Sequence, residues 1–196
     1  VKRLGPLFPS LVSSGDPRSP PAAINLGARA SAGRHLMLMI DGARILSPGV
    51  VRRTLTALRL YDRAVVATLA WHLGPDNQAR SIHKGYGQEV EDKLLAGSGW
   101  EADGYRLFGV SSLAGSCGGG WFFPISESSC ITVSREHFEA LGGYSEEFRS
   151  SGGGLVNLDF YSRAVADPGR PLVILLGEGS FHQVHGGVAT NRRDDE

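Results

Sequence analysis

Apolar residues fall in short unbroken runs separated by glycine- and proline-rich turns. The run His35-Leu36-Met37-Leu38-Met39-Ile40 has the length of a strand and ends abruptly at Asp41-Gly42. An unbroken run of this kind predicts a strand buried on both faces, as in a parallel sheet covered by helices. Residues 64–70 (AVVATLA), 129–133 and 172–176 repeat the pattern. Helical patterns lie between the runs. Pro20-Pro21 open a helix over 22–30, since proline is tolerated in the first turn, and Gly33 can close it. Ser47-Pro48-Gly49 predict a helix over 50–61, with Ser47 as N-cap and Val51, Leu55, Leu58 and Leu60 as its apolar face. Further helices are expected over 88–95, 135–141 and 155–165, and a short strand over 105–110. Residues 111–120 read as a Ser/Gly loop, and residues 177–187 as a glycine-rich loop.

Helices alternating with buried strands predict an α/β fold with a mixed, mostly parallel sheet. No internal repeat or composition shift divides the chain. The expected organisation is an irregular N-terminal segment (1–21), one α/β domain (22–190) and a disordered charged tail (191–196).

Composition narrows the function classes. Lys+Arg and Asp+Glu both number 20 among 196 residues, so the formal charge is zero. That balance gives no global drive toward nucleic acid or an anionic membrane. Two cysteines, Cys117 and Cys130, form neither a metal cluster nor a disulfide framework. No apolar stretch has transmembrane length, and a cytoplasmic location is expected. The chain begins at Val1, as a fragment of a longer protein would.

Ligands of open α/β sheets bind beyond the carboxyl ends of the strands, which is where Asp41 is expected; Gly42 beside it lets a ligand approach the backbone. His182 and His185 follow the last predicted strand. One carboxylate with one or two imidazoles suits Mn²⁺, Mg²⁺ or Zn²⁺; a hydrogen-bonded core or solvated loop histidine is the alternative. Glu127 follows Trp121-Phe122-Phe123-Pro124. A carboxylate beside aromatic rings suits a sugar cleft and general-base work, against the alternative of a surface glutamate. Asp159, one turn before Arg163, reads first as a helix salt bridge, and Asn157, half a turn earlier, could face the same cleft. Asn25 and Arg29 on the first helix could meet a phosphate. Trp121 is the tryptophan whose loop setting fits ligand stacking.

Three blocks resemble glycosyltransferases of the family 2 type, which have the GT-A fold. "NLGARASAGRHLMLMIDGARILSPG" (25–49) is similar to the family's helix, buried strand, metal-binding Asp and "x-P-G" turn. "CITVSREHFEALGGYSEEF" (130–148) resembles the acceptor-side strand, helix and "GG-[FY]-[DS]-E-x-F" segment. "GGGLVNLDFYSR" (152–163) stands where the family has a glycine turn and an acidic "E-D-x-D-[LF]-x-x-R" helix. Of the usual Asp-x-Asp only Asp41 is present. Val156 and Asn157 replace the usual Glu-Asp, while Asp159 and Arg163 match. The N-terminal nucleotide-binding strand unit is missing from 1–21, as in an N-terminally truncated GT-A domain.

The resemblance implies a metal-dependent, inverting glycosyl transfer from a nucleotide-sugar donor to an acceptor hydroxyl of a sugar or glycan. Asp41, His182 and His185 would hold Mn²⁺ or Mg²⁺. Asn25, Asp41 and Gly42 would face the donor. Glu127, or second Asp159, would be the catalytic base, and Trp121 and Asn157 would line the acceptor pocket. Two alternatives stay open: a catalytically impaired GT-A-like module that binds a sugar or a partner, and a metal-dependent hydrolase using the same Asp and His residues.

Overall fold

The computed structural model describes residues 20–39 and 43–185. Asp41, Gly42, nearly all of the expected N-terminal segment and the whole expected tail lie outside the described residues.

Helix α1 (Pro21–Ala30) starts on its proline and carries Arg29 in its last turn. Strands β1 (His35–Met39) and β2 (Arg44–Leu46) precede α2 (Val50–Leu60) and β3 (Val65–Leu73). A helical hairpin follows, α3 (Gln78–Ile82) and α4 (Gln88–Ser98), with Asn77 capping α3 by accepting from the Ala79 N–H. The short strand expected over 105–110 is instead a 3₁₀ turn, Gly104–Val110, because the Asp103 side chain accepts from the Tyr105 N–H and starts a helical turn. Then come β4 (Ser111–Leu113), β5 (Cys130–Ser134), α5 (Arg135–Ala140), α6 (Val156–Val165) and β6 (Leu172–His182).

One sheet has the order β1-β5-β3-β6-β2, with β4 pairing the end of β3. The expected predominance of parallel pairing is corrected here. Among the described residues only β3 and β6 pair in parallel; β1–β5, β3–β5, β3–β4 and β2–β6 are antiparallel. The apolar runs could not report this, because a strand covered on both faces is apolar whichever way it runs. Both faces are indeed covered. Leu36, Leu38, Ala67, Leu69, Ile131 and Val133 join a core with Ala28, Phe138 and Phe160 from α1, α5 and α6. Met37, Met39, Val66, Cys130 and Leu175 meet Val50, Ala57 and Leu58 of α2 on the opposite face.

Helix α2 turns differently from its expected face. Val50, Thr54, Ala57 and Leu58 point inward, while Val51, Leu55 and Leu60 are 55%, 51% and 72% exposed. Ser47 does not cap it either. Its hydroxyl donates to the buried Glu178 carboxylate of β6, which also accepts from Gly49 N (3.2 Å), Arg53 Nε (2.6 Å) and Tyr105 OH (2.9 Å). A Cβ on Gly49 would lie 2.0 Å from Glu178 Oε1, so only glycine admits this approach. Burial alone would raise the Glu178 pKa, but the bonds from Ser47, Tyr105 and Arg53 hold it below the usual carboxylate value. This clamp fixes the roll of α2.

The pairings set strand direction at the site. β1, β3 and β6 run the same way and β5 runs back between β1 and β3. The carboxyl ends of β1, β3 and β6 and the amino end of β5 therefore share one edge of the sheet.

Candidate functional site

Residues 177–182, expected in a loop, complete β6. Paired with β3 on one side and β2 on the other, they bring His182 into register with His72 and Arg44. Gly179 permits this, since a Cβ there would strike the Trp71 indole at 2.7 Å. His182 is buried at the end of the strand.

Its ring is held from behind. His182 Nδ1 bonds Gln78 Oε1, while Gln78 Nε2 donates to the His182 carbonyl (2.9 Å) and faces Glu91 at 3.5 Å. With the amide nitrogen committed to those acceptors, Gln78 Oε1 must accept. Nδ1 thus carries the proton and Nε2 presents a lone pair. His185 Nε2 lies 3.1 Å from that lone pair. Glu91, buried on α4, receives the Val184 N–H at 3.0 and 2.9 Å and the Tyr86 hydroxyl at 3.2 Å, and so fixes the backbone between the two histidines. Burial raises the Glu91 pKa, against the lowering effect of those two bonds. His72 stacks edge-on to His182 with ring centroids 5.6 Å apart. Burial, aided by the charges of His182 and Arg44, pushes its pKa down to about 4.

The imidazole pair fits a shared cation. Two nitrogens about 2.1 Å from one metal at a near-right angle stand about 3 Å apart. Among the described residues no group of three or more His, Cys, Asp or Glu could hold a metal. A third protein donor would have to come from elsewhere. Asp41 is two residues beyond Met39, the last residue of β1, and three before Arg44, which is in register with His182.

At the amino end of β5, Glu127 accepts from Asn157 Nδ2 of α6 at 3.3 Å. Two residues on, Ser129 Oγ meets Ser180 Oγ of β6 at 2.9 Å, tying this corner to the strand that ends in His182. Trp121 is partly buried in an aromatic cluster, 5.9 Å from Trp71 and 6.0 Å from Phe108 between ring centroids. The indole nitrogens of Trp71 and Trp121 are buried, and neither has a hydrogen-bond partner among the described residues. The two phenylalanines after Trp121 are exposed.

Two other expected site residues have structural partners. Asn25 donates to the Tyr144 carbonyl and to Glu146 Oε1, both at 2.9 Å, and accepts from the Tyr144 N–H at 2.9 Å. It locks the left-handed turn at Gly143, where a Cβ would sit 2.5 Å from its Oδ1. Asp159 bonds Arg163 at 2.7 and 3.0 Å, and Arg163 extends the contact to the Leu141 and Gly143 carbonyls. That is the helix salt bridge the spacing allows.

Gln78, Glu91 and His72 were missed by the sequence reading. A polar residue directly after an Asn cap and a glutamate on the inner face of a helix carry no motif. His72 did have a signal, as a histidine two residues past a buried run. The chain matches no known protein family and no characterised protein.

Proposed function

We propose that the protein transfers a glycosyl group from a nucleotide-sugar to an acceptor hydroxyl at the carboxyl edge of its sheet. The observation that carries this reading is the pair of imidazole Nε2 atoms 3.1 Å apart, with His182 oriented by Gln78. With Asp41 as a third donor they would hold Mn²⁺ or Mg²⁺. A divalent cation bound there would offset the charge on a leaving diphosphate. Gln78 and Glu91 hold the two imidazoles in place. Glu127, oriented by the Asn157 amide, takes the proton from the acceptor hydroxyl. A neutral Asn157 suits this role, since a carboxylate there would repel Glu127. The Trp71–Phe108–Trp121 cluster supplies aromatic surface on which a sugar ring can stack.

The test is Mn²⁺-dependent release of nucleoside diphosphate from a panel of nucleotide-sugars, with Mn²⁺ affinity measured in parallel. Asp41→Ala and His182→Ala are expected to abolish turnover and weaken Mn²⁺ binding. Gln78→Leu is expected to weaken it about 10-fold or more, as loss of an outer partner does. Turnover unchanged in Asp41→Ala eliminates the reading. Metal-dependent nucleotide binding without turnover favours the binding module instead.

A further inference from the structure

Away from the imidazole pair, a cleft of about 910 Å³ opens between the α3–α4 hairpin and residues 109–111. This volume is ample for a small organic molecule, which needs roughly 300–1,000 Å³. Tyr86, Val90, Leu94 and Val110 supply apolar walls, and Lys84 and Lys93 stand at the cleft. Among its lining residues Asp76 is the one acid. That carboxylate is already shared, 3.7 Å from Lys84 Nζ and 3.8 Å from Arg80 Nη1. The charge balance of the cleft is therefore cationic, over an apolar floor. The Tyr86 hydroxyl bonds Glu91, so the tyrosine ring is a fixed wall and not a loose side chain.

We propose that this cleft binds a small organic anion with an apolar, ring-sized body, its acidic group toward Lys93 and Lys84. The site needs neither a metal nor a nucleotide and stands independently of glycosyl transfer. An apolar cleft alone would take neutral and anionic ligands equally, whereas two lysines against one acid leave a net positive charge at the cleft that favours the anion.

The test titrates the full chain, without metal, with 8-anilino-1-naphthalenesulfonate, and in parallel with its neutral analogue N-phenyl-1-naphthylamine. One saturable site is expected, at least tenfold tighter for the sulfonate. Gly109 lines the cleft, and a Cβ there meets nothing within 4 Å. Gly109→Phe therefore fills the space and is expected to weaken binding at least tenfold. Val90→Trp fills it from the exposed side of α4 and serves if the glycine variant does not fold. Lys93→Glu is expected to weaken the sulfonate severalfold and leave the neutral analogue unchanged. Phe122→Ser, which removes an exposed ring elsewhere, should change nothing. Non-saturable binding, equal affinity for the two probes, no effect of Lys93→Glu, or loss of binding in Phe122→Ser alone would each overturn the proposal.

Discussion

Glu91 and Glu178 are both buried carboxylates, and each gathers donors from distant parts of the chain. Their environments differ in one respect. Glu178 has a guanidinium within 2.6 Å as well as hydroxyl and backbone donors. The donors that Glu91 gathers are the Val184 N–H, the Tyr86 hydroxyl and the Gln78 amide. The first is held below the ordinary carboxylate pKa and the second above it. Removing one partner of a buried acid that is paired with a cation is costly, because groups that the pair satisfied are left unpaired. A buried acid held by neutral donors contributes less to stability and more to position. Here it fixes the backbone between His182 and His185.

The comparison breaks most clearly at Glu178. Glu178→Ala leaves Ser47, Tyr105 and the Gly49 N–H without their acceptor, and urea unfolding should register a loss of about 3 kcal/mol. If the loss is below about 1 kcal/mol, the clamp does not set the roll of α2.

Acid sharpens the contrast. The native pKa of Glu178 lies below its unfolded value, so the unfolded state binds more protons in between. Its contribution is fully present above the ordinary carboxylate pKa of about 4.3 and is lost as pH falls through the native value. Unfolding curves of the wild type between pH 7 and pH 3 should therefore steepen toward acid. Glu178→Gln should start less stable at neutral pH and lose less on acidification. Parallel pH profiles of the two proteins would contradict the assignment.

Glu91 should give the smallest change in stability. Its native pKa is raised, so any stabilisation it gives is present below the unfolded value and is lost as pH rises through the native one. Glu91→Gln removes a charge that burial disfavours and keeps an oxygen for the Val184 N–H. Stability at neutral pH should stay within about 1 kcal/mol of wild type. Mn²⁺ affinity at the proposed histidine site should still fall, by roughly tenfold, because an amide oxygen holds the Val184 N–H less tightly than a carboxylate does. Equal losses of stability at the two glutamates would erase the distinction.

Much of the fold was legible in the chain. The runs at 35–39, 65–70 and 172–176 are strands, and α1, α2 and α4–α6 form where proline, glycine and apolar spacing predict. The inward face of α2 was not legible. Val51, Leu55 and Leu60 are as apolar as the residues that are buried, and the choice between two faces was made by the Glu178 clamp, over 120 residues away in sequence. The Asp159–Arg163 contact was legible as a helix pair because it is local. The bond from Asn25 to Tyr144 was not legible, because the partner lies 119 residues away.

The sequence by itself determined which segments are buried and extended, where helices start and stop, and that two histidines stand close together after the last apolar run. These are local matters of periodicity, backbone preference and chain order. Only the tertiary structure decided strand direction, the roll of α2, and the convergence of Gln78, Glu91, His182 and His185. Those depend on hydrogen bonds between residues far apart in the chain, whose geometry exists only once the sheet has closed its register.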